Sequence, residues 1–147
     1  MRNPFHILTL LVALLVAPVT GYSADRDVTL YKNPGCTCCD GYAEHLRAAG
    51  YQVDIQETEE LGDMQRAAGI PDDMQGCHFF ETEGYAISGH VPVAAVEKLF
   101  TERPDIRAIS LPGMPLGSPG MGGQKEGPFE VLGISASGDI TGVFSTE

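Results

Sequence analysis

Apolar and polar positions change period several times between residues 28 and 103, and each change marks a predicted element. Val28 to Lys32 alternates weakly and stops at Asn33-Pro34-Gly35, which predicts a first strand ending in a sharp turn. Helix formers fill Cys38 to Ala49, with Tyr42, His45 and Leu46 on nearby faces, and Gly50 supplies the stop. Tyr51 to Ile55 alternates again and predicts a second strand. Thr58 followed by Leu61 to Ala68 predicts a second helix, closed by Gly69. After a short link, Phe79 to Glu81 and Tyr85 to His90 flank Glu83-Gly84 as a hairpin. Pro92 to Arg103 carries Val93, Val96, Leu99 and Phe100 at core spacing and predicts a third helix, closed by Pro104. The order β-α-β-α-β-β-α is that of an α/β, thioredoxin-like domain. In that arrangement the first strand delivers the loop after it onto a helix N-terminus.

The tail differs in character. Residues 111–123 read Leu-Pro-Gly-Met-Pro-Leu-Gly-Ser-Pro-Gly-Met-Gly-Gly, a Pro/Gly/Met-rich run that sustains neither helix nor strand. Phe129 to Ile134 and Ile140 to Phe144 then flank Ser135 to Asp139 as a closing hairpin. A long irregular segment between ordered elements marks either function or disorder. The expected division is a leader over 1–24, a thioredoxin-like domain over 25–110, and a C-terminal extension over 111–147.

The leader changes the picture of where the chemistry happens. Arg2 is its only charged residue, an apolar run extends from Ile7 to Val16, and Pro18 and Gly21 break the run before Ser23-Ala24. This is the pattern of a secretory signal peptide, too short to cross a bilayer comfortably. Export implies an oxidising compartment and no membrane attachment after cleavage. The chain has 20 acidic against 9 basic residues and a net charge of −11, which argues against nucleic acid and anionic membrane as partners.

Three of the four cysteines lie in Cys36-Thr37-Cys38-Cys39, between the first strand and the first helix. A helix N-terminus favours thiolates, and crowded thiolates repel, so the group wants either oxidation or a soft cation. Exported chains with four cysteines most often carry two disulfides. Local geometry works against that count here, because adjacent Cys38 and Cys39 pair only through a strained ring. Cys36 and Cys39 can reach the usual Cα separation of about 4.4–6.8 Å across a helix-start turn. Cys38 is then left to find Cys77 or nothing.

Two chemistries overlap in the loop. Cys36 and Cys39 have the Cys-x-x-Cys spacing of thiol–disulfide exchange, with one thiolate attacking and the other resolving. Cys36 and Cys38 have a Cys-x-Cys spacing that suits metal capture, and the extra thiol would scramble a two-thiol cycle. Cu(I) prefers thiolate and thioether ligands, and one thiolate can bridge two cuprous ions. A closed tetrahedral zinc site fits less well, since Cys38 and Cys39 would struggle to reach one ion. In the predicted fold Cys77 lies beside the loop and can complete a four-sulfur set. His78 can ligate or hydrogen-bond to it only if it points the same way, and neighbours on a strand face opposite sides. His90 ends the hairpin and can ligate, cap the next helix or be solvated. Met114 and Met121 each follow a Pro-Gly pair in the irregular segment, where a thioether suits copper or fills a gap in the core. Met64 and Met74 belong to core packing.

Four segments together carry a resemblance: Tyr31 to Cys39, Cys77-His78, Gly84-Tyr85 with Gly89-His90-Val91-Pro92, and Leu111 to Met121. In this order and content the chain resembles the CopG-type copper-resistance proteins of Gram-negative bacteria. The resemblance implies a thioredoxin-like domain with a C-terminal extension, exported to the periplasm, and a multinuclear cysteine-bridged copper site. Carried over by position, Cys36, Cys38, Cys39 and Cys77 are sulfur ligands, and the extension bearing Met114 and Met121 helps to close the site.

The resulting expectation is a monomeric periplasmic protein that binds several copper ions and interconverts Cu(I) and Cu(II) in copper resistance. Its metal residues are Cys36, Cys38, Cys39, Cys77, Met114, Met121, His78 and His90. Its partners are copper ions together with copper-efflux or electron-transfer proteins of the periplasm. Whether it turns over as a copper oxidoreductase is left open by the sequence. The alternative is a periplasmic thiol–disulfide oxidoreductase using Cys36 and Cys39.

Overall fold

Burial along the first strand follows the pleat: in β1 (Asp27–Lys32) Val28, Leu30 and Lys32 are buried while the residues between them are more exposed. A computed structural model of the protein describes residues 26–147, so the predicted leader over 1–24 lies outside the described residues. The elements that follow are α1 (Thr37–Ala48), β2 (Gln52–Glu57), α2 (Leu61–Ala67), a 3-10 turn at Asp72–Met74, β3 (His78–Thr82), β4 (Tyr85–Gly89) and α3 (Val93–Glu102). Then come β5 (Ala108–Leu111), β6 (Glu130–Ile134) and β7 (Ile140–Thr146).

All the strands form one sheet in the order β2-β1-β3-β4-β5-β6-β7. The β1–β2 and β4–β5 pairs are parallel, and the other pairs are antiparallel. Helices cover both faces, as a mixed α/β chain requires. Tyr42, Ala43 and Leu46 of α1 and Val96, Leu99 and Phe100 of α3 pack with Leu30, Phe80, Ile87 and Ile109. On the opposite face Leu61 of α2, Ile70 and Met74 pack with Phe79, Ala86, Ala108 and Ile134. Met64 packs against this second cluster, so both methionines assigned to the core are there.

The sequence pattern omits β5. All of its residues are buried, so Ala-Ile-Ser-Leu shows no alternation, and the Pro/Gly run begins at its last residue. Pairing of β5 with β6 makes the residues after 111 part of the same sheet, with β7 at its edge. Between β5 and β6 the chain forms an irregular strap over residues 112–129. Among the described residues, no helix is long and apolar enough to cross a membrane.

Candidate metal centre

The end of β1 and the start of β3 bring the cysteines together. Antiparallel pairing sets Lys32 opposite His78, and the Asn33 N–H donates to the Cys77 carbonyl at 3.1 Å. Cys77 therefore sits beside the loop that opens α1, where Cys36 is the N-cap residue. Cys36 and Cys39 form a disulfide with Cα atoms 5.4 Å apart, inside the usual range. Cys38 and Cys77 are free thiols, both half-buried. Cys36 Sγ lies 3.5 Å from Cys38 Sγ, and Cys39 Sγ lies 3.3 Å from Cys77 Sγ. All four sulfurs fall within 4.8 Å of one another, a spacing that can hold a metal ion.

Two histidines adjoin this group. His78 Nδ1 is 3.8 Å and His90 Nε2 is 3.7 Å from Cys77 Sγ. The rule that strand neighbours face opposite sides does not separate Cys77 from His78, because β3 begins at His78 and Cys77 precedes the pleat. His90 follows the last residue of β4, Gly89, whose φ of +76° and position favour glycine. A Cβ on Gly89 would stand 2.6 Å from the Leu111 carbonyl oxygen, and one on Gly76 would stand 2.6 Å from Gly89 itself. The two bare backbones let the residue before Cys77 pack directly against the residue before His90.

Aromatic contacts fix both imidazoles. Tyr42 lies under His78 with ring centroids 4.4 Å apart, and the His78 and His90 rings meet edge to face at 4.7 Å. Tyr42 itself is held by its hydroxyl, which donates to the Val91 carbonyl at 2.9 Å. Burial drives the His78 pKa down to about 3, with His90 adding to the effect. Burial also lowers the pKa of His90, so both rings are neutral and carry a lone pair at neutral pH. The Cys77 thiol is pushed up to about 11, first by burial and then by the neighbouring Cys38. His78 Nε2 is buried with no hydrogen-bond partner among the described residues.

The strap closes over this arrangement. The Pro119 carbonyl lies 2.7 Å from His90 Nδ1. Gly120, at φ +81°, rests on the first turn of α1, where an added Cβ would meet Tyr42 N at 2.4 Å and the Cys38 carbonyl oxygen at 2.6 Å. Met121 follows directly, half-buried, its N–H donating to the Ser118 carbonyl. Met114 is 45% exposed in the preceding turn, at φ +47°. His45 is exposed on α1.

Lys32 escaped the sequence reading. Its side chain is buried at the end of β1, with Nζ 2.6 Å from Asp40 Oδ1, 3.2 Å from Glu57 Oε1 and 3.2 Å from the Cys36 carbonyl oxygen. The hydrogen bond to Asp40 leads the causes that raise its pKa, with Glu57 adding to it against the opposing effect of burial. The signal was present, since Lys32 occupies the inward register of Val28 and Leu30, where a lysine needs a partner.

Thiol sulfur beside neutral imidazole is a donor set for copper or zinc, with softness favouring copper where sulfur dominates. The residues thus fit a soft metal. A family profile described as "Protein of unknown function, DUF411" matches residues 74–121, which include Cys77, His78, His90, Met114 and Met121. No curated protein matches the chain. Two solved structures, described as copper resistance protein CopG, forms 1 and 2, are each 32% identical to it. The alignments cover 82% of this chain and 96% and 97% of those chains, with TM-scores of 0.75 and 0.74.

Proposed function

This chain belongs to the CopG copper-resistance family, and from that footing we propose that it is a periplasmic protein whose cysteine cluster binds several copper ions and supports Cu(I)/Cu(II) interconversion. The observation that carries the reading is the convergence of all four sulfurs to within 4.8 Å, with two neutral imidazoles against Cys77. We read residues 25–110 as a thioredoxin-like unit that presents the loop, residues 111–147 as the extension that roofs it, and residues 1–24 as the export signal.

Copper is cargo in this scheme. Reduction of the Cys36–Cys39 disulfide by an external dithiol, itself oxidised to a disulfide, supplies the two electrons and two protons that free the sulfurs as ligands. Thiolates then favour the cuprous state, and bridging sulfur lets several ions share one small site. Cys36, Cys38, Cys39 and Cys77 are the principal ligands. His78 and His90 stand at the Cys77 side, and Met114 and Met121 are supplementary thioethers. Each Cu(I) released as Cu(II) passes one electron to an external acceptor, the role assigned to a periplasmic electron-transfer partner. The protein acts as a monomer.

Thiol titration beside elemental analysis of protein from copper-fed cells tests the proposal. Several copper ions per chain are expected, with fewer in Cys38→Ser. Full copper stoichiometry in that variant overturns the cluster. A second reading is favoured by the Cys36–Cys39 disulfide itself, since a helix-start disulfide is the form taken by thiol–disulfide oxidoreductases. It predicts that metal-free protein reduces a small disulfide substrate, that Cys36→Ser abolishes this, and that substitution of Met114 or Met121 leaves it unchanged.

A further inference from the structure

Lys32 stands apart from the ligand set, and its burial needs a reason. It occupies the inward register of Val28 and Leu30 and is 3% exposed. An apolar residue there would serve the sheet as well or better, because a buried ion pair recovers little beyond the cost of desolvating it. The ammonium instead reaches the cysteine loop, where it donates to the Cys36 carbonyl at 3.2 Å and to Asp40 Oδ1 at 2.6 Å. Glu57 Oε1 lies 3.2 Å from Nζ and also accepts from the Gly35 N–H at 3.4 Å. We propose that Lys32 is a positioning residue for the loop, and that its fixed positive charge biases the Cys36–Cys39 pair toward its reduced form.

Position and charge both argue for it. Side chains from β1 and β2 hold Gly35, Cys36 and Asp40, and none of these bonds involves sulfur. The frame around the loop is therefore independent of the S–S bond. Cys36 is half-buried and Cys39 fully buried, so an external thiolate reaches Cys36 Sγ. Its attack breaks the Cys36–Cys39 bond, forms a mixed disulfide at Cys36 and expels Cys39 as a thiolate. The second thiol of the dithiol then attacks its own partner sulfur, closes a disulfide within the reagent and expels Cys36 as a thiolate. Two electrons and two protons pass from the dithiol to the protein. Negative charge appears on sulfur in both steps, whereas the disulfide carries none. A lysine beside a cysteine favours the anionic sulfur, and Asp40 and Glu57 oppose it. This role rests on the step that both readings above share, the opening of the disulfide.

Metal-free protein is equilibrated at pH 7 with mixtures of reduced and oxidised dithiothreitol, and free thiols per chain are counted as they rise from two to four. Lys32→Met should shift the equilibrium about tenfold toward the disulfide, a potential about 30 mV more negative. Asp40→Asn and Glu57→Gln each remove an opposing charge and should shift it about threefold the other way. Loosening of the loop alone would move all three variants in one direction, so opposite signs separate charge from structure. Each variant is first checked for a cooperative melt. If Lys32→Met does not fold, the two carboxylate variants decide, and no shift toward the thiols in either overturns the role. A shift below about twofold in Lys32→Met, or shifts of one sign in all three, also overturns it. Cu(I) uptake by the reduced wild-type protein is measured in parallel. Uptake of several Cu(I) ions with no effect of Lys32→Met on the thiol equilibrium removes this inference alone. Opposed shifts without Cu(I) uptake uphold it and remove the copper reading.

Discussion

His90 Nδ1 and the Pro119 carbonyl oxygen are 2.7 Å apart, which joins the end of β4 to a strap 29 residues further along the chain. This contact ties the irregular segment to the site rather than to solvent. It also couples the strap to the state of an imidazole.

Burial of the two imidazoles has an acid signature. Both histidines have lowered folded pKa values, so the unfolded chain binds protons that the folded chain does not. Stability is then full above the unfolded value of about 6.5 and falls as pH drops below it. For each buried histidine the slope reaches about 1.4 kcal/mol per pH unit. The share of His78 continues down to about pH 3. Urea unfolding between pH 7 and pH 4 should show the loss, and His78→Phe should reduce the slope. An equal slope in that variant would refute the assignment to His78.

Gly120→Ala places a methyl group against the backbone of α1, at a φ of +81° that alanine adopts only with strain. Overpacking of this kind costs about 1–3 kcal/mol. Gly122→Ala is the control, since nothing lies within 4 Å of its added carbon and its effect should stay within about 0.5 kcal/mol. Denaturant midpoints of the two variants that match each other would show that the strap does not rest on α1.

Lys32→Met removes the ammonium that links Asp40, Glu57 and the Cys36 carbonyl. A loss of about 1–2 kcal/mol at pH 7 is expected, modest because both carboxylates are half-exposed. The folded pKa of Lys32 is raised, so its contribution is complete below the unfolded lysine value of about 10.4 and disappears as pH climbs through the folded value. Wild-type protein should therefore lose part of its advantage over the variant above about pH 10. A stability difference that is flat across that range counts against the ion-pair account.

Local signals were the readable ones. Glu83-Gly84 between two alternating runs specified the β3–β4 hairpin, and Gly50 and Gly69 marked the ends of α1 and α2. The cysteine loop was legible as the start of a helix, and Cys77 as its neighbour, because strand order places them together. What escaped depends on contacts distant in sequence. Buried on both faces, β5 lacks a period, and its pairing with β6 spans the whole strap. Lys32 looked like the end of a strand until Asp40 and Glu57 closed on it from two other elements. The side on which His78 lies was left open by the sequence, because the pleat begins only at His78 and Cys77 precedes it.

The packed rings of Tyr42, His78 and His90 give the cysteine cluster an unyielding floor, while two of the four sulfurs beside it are held in a disulfide that only reduction opens. On the proposed copper reading, ion capture waits for the electron supply that opens this disulfide, with little folding left to wait for. Loading rates should accordingly track the reductant offered rather than the ion concentration once metal is plentiful.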